Sequence, residues 1–375
     1  MKIHYFTNKA FPNKSANNVQ ILKTVDGMNK IRGVETELVC FKSVEFKSVG
    51  NIYDRFSLSS RFKFNFLSSV DRGGFRNDLI LFYYLFNNRM KINYIYSRSL
   101  IFSLLAKYLL RKRVIYEIHD MVKGRLYKLL LFFALKGFYK ITVISNKIKE
   151  DIVMEYGSKN VVVIRDGASP EDFILKKSKK KLREELKLSQ KKFIVTYIGS
   201  FQLCKGFDTF LDSIGDIKDE EVFLLLIGAK DKDLSFYNKK YKNYSNNFKL
   251  LANVEHKLVS SYLKASDVLI IPNSGNENLS VNHKIAKYYT SPLKLFEYMC
   301  SKRPIIGSAV PAIKEVLNEN NSILVKPDSS KSIADAIILL KQNSLLRDKL
   351  AKKAYIDVKK FSWDNRGKKI VDLFK

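Results

Sequence analysis

Near the end of the chain, a lysine stands in the first turn of a predicted helix, where the helix dipole should repel a cation. The run 289–299 reads Tyr-Thr-Ser-Pro-Leu-Lys-Leu-Phe-Glu-Tyr-Met. Ser291 is expected as the N-cap and Pro292 as the first helical residue. Lys294 then adds charge to a terminus that already carries about half a positive charge. This indicates an anionic ligand, and helix amides beside a lysine suit a diphosphate. The alternative is an exposed Lys294–Glu297 pair on an ordinary helix.

A second lysine follows a predicted buried strand at residues 193–199. The segment 199–206 reads Gly-Ser-Phe-Gln-Leu-Cys-Lys-Gly, and open parallel sheets bind ligands at the carboxyl ends of their strands. Lys205 could therefore reach a phosphate, or it could be an ordinary surface lysine. Gly228 ends another strand and either lets a ligand approach the backbone or only joins strand to loop. The segment is neither a Walker loop nor a G-x-G-x-x-G motif, which disfavours ATP hydrolysis and nicotinamide binding.

In the first half, three polar residues end a buried strand. The run 115–120 is Ile-Tyr-Glu-Ile-His-Asp, which places Glu117, His119 and Asp120 at a carboxyl edge. Among the four histidines of the chain, His119 has the position expected of a catalytic residue. A structural histidine with satisfied hydrogen bonds is the alternative. The absence of H-E-x-x-H and G-x-S-x-G motifs disfavours metalloproteases and serine hydrolases.

The order of elements is strand then helix, repeated, with strands that are continuous apolar runs. This pattern is typical of parallel sheets that are buried on both faces. The predicted strands are 2–6, 35–40, 94–97, 114–119, 141–144, 161–164, 193–199, 222–228, 268–272, 304–307 and 322–325. The clearer predicted helices are 18–31, 100–110, 146–156, 330–343 and 345–361. The fold class is therefore α/β, with two Rossmann-like domains.

Domain boundaries follow from length and local charge, because 375 residues are too many for one ordinary core. Residues 1–175 are expected to form the first domain, and the lysine-rich stretch 176–192 a linker. Residues 193–355 are expected to form the second domain. A final helix at 356–375 could pack back on the first domain.

Positive charge is the main compositional feature, with a formal net charge of +30. Residues 1–192 hold 38 Lys and Arg against 17 Asp and Glu, so the first half carries most of the excess. Such a field attracts polyanions, either nucleic acid or an anionic membrane. A lysine-rich compositional bias without function is the alternative. The three scattered cysteines favour a reducing compartment without disulfides. No signal peptide or membrane-spanning segment is recognised.

Taken together, four segments resemble the retaining GT-B glycosyltransferases of the group 1, or family four, type. They are the turn 199–206, the run 265–272 (Ala-Ser-Asp-Val-Leu-Ile-Ile-Pro), the helix 291–299 and the run 304–308 (Pro-Ile-Ile-Gly-Ser). In the first half the resemblance continues through 116–120, 143–145 and 163–167. It covers nearly the whole chain and implies a GT-B fold, with two Rossmann-like domains facing an interdomain cleft.

The resemblance also implies roles for particular residues. Lys205 matches the lysine that neutralises the diphosphate, Glu297 the glutamate that holds the nucleotide ribose, and His119 the histidine offered to the donor sugar. The turn of Ser291, Pro292, Leu293 and Lys294 matches the family's turn whose amides meet the phosphates, beside Gly199, Ser200 and Gly228. A UDP- or GDP-sugar donor is expected, without metal or cofactor.

Two positions depart from the family pattern. Tyr289 stands where the family has its first glutamate, and Ser200 follows the glycine where arginine is common, so Lys294 could supply the missing positive charge. On the acceptor side, Asn17 and Asn18 lie in the loop before the first helix. They could donate to sugar hydroxyls or cap the helix.

Two basic and aromatic segments of the first half, 56–67 and 126–136, could lie in a membrane interface or pack in the core. The expected protein is a cytoplasmic transferase, peripheral on the inner face of the cell membrane, that acts on a saccharide or lipid-linked saccharide in envelope glycan synthesis. Another GT-B enzyme, either an inverting transferase or a nucleotide-sugar epimerase, is the alternative. A nucleic-acid-binding protein is disfavoured because no zinc spacing, RNP motif or basic zipper is present.

Overall fold

The computed structural model describes residues 1–13, 15–68, 74–121 and 124–375. They form two compact units, the first from Met1–Asp166 with Ser362–Lys375 and the second from Gly167–Phe361. Both are layered α/β units built on parallel sheets, as the apolar strand runs predict.

The first unit contains a seven-stranded parallel sheet of order β3-β2-β1-β4-β5-β6-β7. Its strands are β1 (Lys2–Phe11), β2 (Glu35–Lys42), β3 (Lys63–Leu67), β4 (Tyr94–Ser97), β5 (Arg113–Ile118), β6 (Lys140–Val143) and β7 (Val161–Val163). Its helices up to Asp166 are α1 (Ala16–Asn29), α2 (Val49–Arg55), α3 (Phe75–Asn87), α4 (Leu100–Tyr108), α5 (Arg125–Gly137) and α6 (Asn146–Tyr156). The strand order reverses between β1 and β4, which is where such sheets open a ligand crevice.

The second unit contains a six-stranded parallel sheet of order β10-β9-β8-β11-β12-β13. Its strands are β8 (Phe193–Ile198), β9 (Val222–Ala229), β10 (Phe248–Ala252), β11 (Val268–Ile271), β12 (Ile305–Ser308) and β13 (Ile323–Val325). Its helices are α7 (Lys179–Glu185), α8 (Phe207–Asp212), α9 (Asp231–Lys240), α10 (His256–Ala265), α11 (Val281–Lys284), α12 (Leu293–Cys300), α13 (Pro311–Lys314), α14 (Ser330–Gln342) and α15 (Ser344–Val358). The order here reverses between β8 and β11.

The last helix, α16 (Trp363–Asp372), belongs to the first unit and packs on α1. The two helices touch through glycines: a Cβ atom on Gly367 would overlap the backbone of Gly27, and one on Gly27 would overlap the carbonyl of Trp363. Trp363, Ile370 and Val371 are buried at this crossing. The end of the chain is therefore a structural element of the first unit.

Several sequence-based boundaries differ from the structure. The compact units divide after Asp166, and the expected linker at 176–192 contains α7, whose Leu182 is buried in the second unit. Strands β3 and β10 and helix α2 were not among the predicted elements, because charged or amide residues interrupt their apolar positions. Helix α3 was also not predicted, although residues 79–86 are all apolar or aromatic. In the segment 56–67, Phe56 and Phe62 are buried in the core of the first unit, so most of this aromatic surface is not available to a membrane.

Candidate functional site

Two lysines of the second unit lie near each other, close to the carboxyl end of β8. Lys205 ends a short 3-10 turn at Leu203–Lys205, and Lys294 lies in the first turn of α12. The Nζ atom of Lys294 is buried and, among the described residues, has no hydrogen-bond partner. It lies 4.3 Å from the centre of the Tyr197 ring. Such a contact only partly offsets the cost of burying an ammonium group.

The electrostatics of this pair are unfavourable without an anion. Burial and the positive charge of Lys205 hold the pKa of Lys294 well below its usual range. Burial also lowers the pKa of Lys205. Two like charges are thus held close together in a poorly hydrated place, which an anion with several acceptor oxygens would stabilise.

Glycines allow the backbone to approach closely around these lysines. Gly206 has a φ of +62°, and a Cβ atom there would overlap the carbonyl oxygen of Pro272. Gly228 has a φ of +120°, and its Cβ atom would overlap the carbonyl oxygen of Gly199. Gly228 therefore packs against the loop that follows β8, which is a structural reason for the glycine. A Cβ atom on Gly199 would come within 3.4 Å of Lys294 Nζ.

The start of α12 differs by one residue from the prediction. The helix begins at Leu293, and Pro292 rather than Ser291 occupies the N-cap position, with no side-chain capping bond. Lys294 is therefore the second helical residue and remains in the first turn, so the argument from the helix dipole is unchanged. Glu297 lies one turn further along and is partly exposed. Tyr289 is buried at the end of a π-helical turn, Ile285–Tyr289.

The first unit has a cavity of about 490 Å³ where its strand order reverses. Its lining comes from the ends of three neighbouring strands, from Asn17 and from α3, α4 and α5. The strand-end residues are Thr7, Asn8 and Lys9 of β1, Arg98 and Ser99 after β4, and His119 and Asp120 after β5. The cavity thus combines hydroxyl, amide, guanidinium and carboxylate groups, which is a suitable lining for a polyhydroxylated ligand.

The two asparagines expected on the acceptor side have different environments. Asn17 is exposed, and its Oδ1 accepts a hydrogen bond of 3.3 Å from Arg98 at the cavity. Asn18 is completely buried and donates to the carbonyl oxygen of Ala10. The side chain of Ser15 caps α1. Asn18 is therefore a structural residue of the loop, and neither asparagine is the N-cap.

His119 lies in the cavity wall and contacts Glu117, the penultimate residue of β5. Burial and the charge of Arg98 lower the pKa of His119 to about 4, although Glu117 acts in the opposite direction. The imidazole is therefore neutral at physiological pH. Ser200 is exposed, and its carbonyl oxygen accepts a hydrogen bond of 2.8 Å from Tyr197.

Sequence reasoning missed several residues of these two places. In the second unit it missed Tyr197, whose ring lies beside Lys294. In the first unit it missed Arg98 and Asp78, which line the cavity, and Arg366, which contacts Glu117. Polar residues directly after β4 gave a usable signal for Arg98, because β4 lies at the reversal of strand order. Arg366 gave none, since the lysine-rich terminus resembles a solvated helix.

Comparison with known proteins identifies the family of the second unit and the fold of the whole chain. Residues 178–357 match the family model of glycosyl transferases group 1. A phosphatidyl-myo-inositol mannosyltransferase of Mycobacterium leprae is 22% identical over 45% of this chain and 42% of its own length. An uncharacterised glycosyltransferase of Methanocaldococcus jannaschii is 26% identical over 62% of this chain and 57% of its own length. The matched region spans about half the length of these curated relatives.

Solved structures show the same fold over both units. The Anabaena protein HepE in complex with UDP superposes with a TM-score of 0.76, covering 100% of this chain and 99% of that chain at 14% identity. WaaG, a glycosyltransferase involved in lipopolysaccharide biosynthesis, superposes with a TM-score of 0.66, covering 99% of each chain at 14% identity. The fold match covers both units, so this chain has the GT-B fold, and residues 178–357, which make up nearly all of the second unit, belong to the group 1 glycosyltransferase family.

Proposed function

We propose that this protein is a retaining glycosyltransferase that moves a sugar from a nucleotide-diphosphate sugar to a saccharide or lipid-linked saccharide acceptor. The observation that carries the proposal is the buried ammonium group of Lys294 beside Lys205, without a hydrogen-bond partner among the described residues. A diphosphate would supply both the missing acceptors and the compensating charge. The Anabaena HepE structures contain UDP or UDP-glucose, which supports a donor of this class.

The proposed chemistry uses these cations in the transition state. As the bond between the sugar and the diphosphate breaks, negative charge grows on the leaving phosphate oxygens. Lys205, Lys294 and the amides at the start of α12 interact more strongly with this charge in the transition state than with the phosphates in the ground state, which lowers the barrier. In a retaining reaction the acceptor hydroxyl attacks from the face that the diphosphate leaves, and a leaving phosphate oxygen takes the proton. This scheme needs neither a metal nor a protein base.

Glu297 is proposed to hold the ribose hydroxyls of the nucleotide, one helical turn beyond Lys294. Gly199, Ser200, Gly228 and the residues 291–294 are proposed to surround the phosphates. His119 and Asn17 of the first-unit cavity are proposed to contact sugar hydroxyls.

A panel of UDP-, GDP- and ADP-sugars, scored for released nucleotide, tests the proposal. The Lys205→Ala and Glu297→Ala variants are each expected to lose about 100-fold or more in kcat/KM, because each removes a charged contact to the donor. Their circular dichroism should remain that of the wild type. Full activity in either variant contradicts the role of that residue. An inverted product anomer contradicts the retaining course, and conversion of donor without acceptor indicates an epimerase.

An anionic membrane surface is proposed as the place where the acceptor is met. One sequence relative is named as a phosphatidyl-myo-inositol mannosyltransferase, and one protein of similar structure is named as a glycosyltransferase involved in lipopolysaccharide biosynthesis. No helix among the described residues is long and apolar enough to cross a membrane. We propose that docking uses a surface of the folded protein on α5.

The outer face of α5 is apolar and is flanked by basic residues. Leu126, Leu129 and Phe133 are 70%, 55% and 47% exposed. Leu126 also lines the first-unit cavity, so the apolar face continues to its rim. Across α3, α4 and α5, Asp78 is the one acidic residue, and it is buried. The basic residues on these three helices are Arg76, Lys107, Arg125, Lys128 and Lys136. An apolar face with positive flanks fits the interface of an anionic bilayer.

A further inference from the structure

The carboxylate of Glu117 is held from several sides inside the first unit. Its Oε1 receives a hydrogen bond of 3.0 Å from the side-chain amide of Gln20 and contacts Nε2 of His119. Its Oε2 receives hydrogen bonds from the hydroxyl of Tyr96 and the guanidinium of Arg366. Glu117 is 2% exposed. The carboxylate therefore has one fixed orientation towards the ring of His119.

Arg366 is itself fixed by every nitrogen of its guanidinium group. Its Nε donates to the hydroxyl of Thr24 at 2.9 Å, and one terminal nitrogen donates to the carbonyl oxygens of Ile164 and Arg165 at 2.6 and 2.9 Å. The other donates to Glu117. The glycine contact between α1 and α16 brings Arg366 to this depth, since larger residues would push the helices apart. The last helix of the chain thus reaches to the back of the cavity wall.

The charges decide which nitrogen of His119 carries the proton. Burial opposes ionisation of Glu117, but the charge of Arg366 and the hydrogen bond with His119 outweigh it and hold the pKa of this carboxyl well below its usual range. An ionised carboxylate only accepts hydrogen bonds, so Nε2 of His119 must be the donor in their contact. Since the low pKa of His119 keeps the ring neutral, Nδ1 has no proton and can only accept.

We propose that Glu117 and Arg366 are positioning residues, which hold His119 as the Nε2–H tautomer so that Nδ1 accepts a hydrogen bond from a sugar hydroxyl in the cavity. The side chain of His119 is 20% exposed, which leaves one side of the ring accessible. Within the described part of the chain, its one polar partner is Glu117. The identity of the ligand depends on the proposed function, whereas the tautomer is a property of the protein alone.

Other charged groups also face this cluster. Arg98 lies 3.8 Å from Glu117, and Asp166, after β7, lies 3.7 Å from Arg366. Burial raises the pKa of Asp166 to about 6. Tyr5 and Tyr96 are buried beside the carboxylate, and burial raises the pKa of both phenols. Neither phenol ionises near neutral pH, so Arg98, Arg366 and Asp166 set the charge around the Glu117–His119 pair.

Two-bond 1H–15N correlation spectra of protein labelled in histidine test the tautomer directly. The chain has four histidines, and the His119→Asn variant assigns the signal of His119 by its loss. The expected result is a neutral ring protonated at Nε2 from pH 5.5 to 8, with at most a small change in its shifts as Asp166 titrates near pH 6. A signal from the Nδ1–H tautomer, or the 15N shifts of an imidazolium ring at pH 5.5, overturns the proposal. This experiment needs no substrate.

The Arg366→Met variant separates positioning from a purely structural role. Loss of this positive charge should raise the pKa of His119, and the acid limb of kcat/KM should move in the same direction. Arg366→Lys keeps the charge and should leave the pKa of His119 at its wild-type value. The matched control is Arg183→Met, which removes another buried arginine, paired with Asp267 in the second unit. If the pKa of His119 is the same in Arg366→Met as in Arg183→Met and the wild type, Arg366 has only a structural role.

Activity supplies the third readout. Asn places its Oδ1 where the ring has Nδ1, so His119→Asn should retain about tenfold more kcat/KM than His119→Ala. Equal losses overturn the acceptor role of Nδ1. If the spectra are as expected and no nucleotide-sugar is turned over, the proposed function fails while the tautomer assignment stands. If donors are turned over and the spectra disagree, only this inference fails.

Discussion

At the level of single residues, the second unit buries the amine of Lys294 where its own stability would favour an apolar side chain. Lys294 combines a buried Nζ atom, an aromatic ring at 4.3 Å and a neighbouring lysine. A structural lysine would normally have a carboxylate or carbonyl partner. An anion bound as proposed would recover the free energy that this arrangement costs in the free protein, which is typical of a binding residue.

Replacement of Lys294 with Met should increase stability and reduce nucleotide binding. The free energy of unfolding is expected to rise by about 1 kcal/mol, because an apolar side chain of similar length replaces a buried cation. Affinity for UDP should fall about tenfold or more. Urea denaturation and calorimetry measure the two effects. Lys314→Met, at an exposed lysine of α13, is the control and should change neither.

The same lysine links binding to pH. The pKa of Lys294 is lowered in the free protein, and a diphosphate raises it again by favouring the charged form. Where the pH lies above the lowered pKa, binding takes up protons, and affinity falls as the pH rises. Calorimetry of UDP binding in two buffers of different ionisation enthalpy should show proton uptake by the wild type and less by Lys294→Met. Equal uptake in both proteins would assign it to another group.

At the scale of secondary-structure elements, the contact between α1 and α16 determines whether Arg366 can reach Glu117. The helices approach through Gly27 and Gly367, where no side chain separates the backbones. Strong interhelical packing thus depends on two residues that are individually poor helix formers. Their cost in helix propensity is offset by the buried contacts of Trp363, Ile370 and Val371.

The Gly367→Ala variant should lose about 3 kcal/mol of unfolding free energy, because the added methyl group overlaps the backbone of α1. Trp363, the single tryptophan of the chain, is buried at the start of α16, so its fluorescence follows unfolding at this contact. Gly50→Ala is the matched control, since its Cβ atom would have Ser48 Oγ at 3.9 Å as its nearest neighbour. The control should be neutral or stabilising by up to about 1 kcal/mol. Equal stability of the two variants would contradict the close crossing.

At the level of the whole molecule, the net charge of +30 is unevenly distributed. The described helices α3–α5 expose apolar and basic side chains, and their one acidic residue is buried. Two copies of such a surface would repel each other, whereas an anionic bilayer would attract it. This favours lipid over self-association as the partner of this face.

The double variant Leu129→Glu/Phe133→Glu should reduce binding to phosphatidylglycerol vesicles about tenfold or more, because it removes apolar contacts and adds negative charge. Co-sedimentation at low salt measures this, and added salt should weaken binding by the wild type. Phe236→Glu/Leu345→Glu is the control, at positions 61% and 82% exposed in the second unit. Equal loss in both double variants, or binding insensitive to salt, would contradict the docking face. A concentration-dependent dimer that only the α5 variant abolishes would indicate a second copy instead.

Sequence patterns alone are enough to predict the α/β class, the succession of strands and helices, and the family resemblance that assigns roles to Lys205, Lys294 and Glu297. These follow from local apolar periodicity, glycine placement and short motifs, which neighbouring residues encode. The fold was needed to show that segment 56–67 is largely core while α5 is exposed, that Asn18 is structural, and that Nζ of Lys294 is buried without a hydrogen-bond partner among the described residues. It also decided that Arg366 reaches Glu117, 249 residues away. The burial and pairing of a side chain depend on contacts between elements that are distant in the sequence, and local sequence patterns do not specify those contacts.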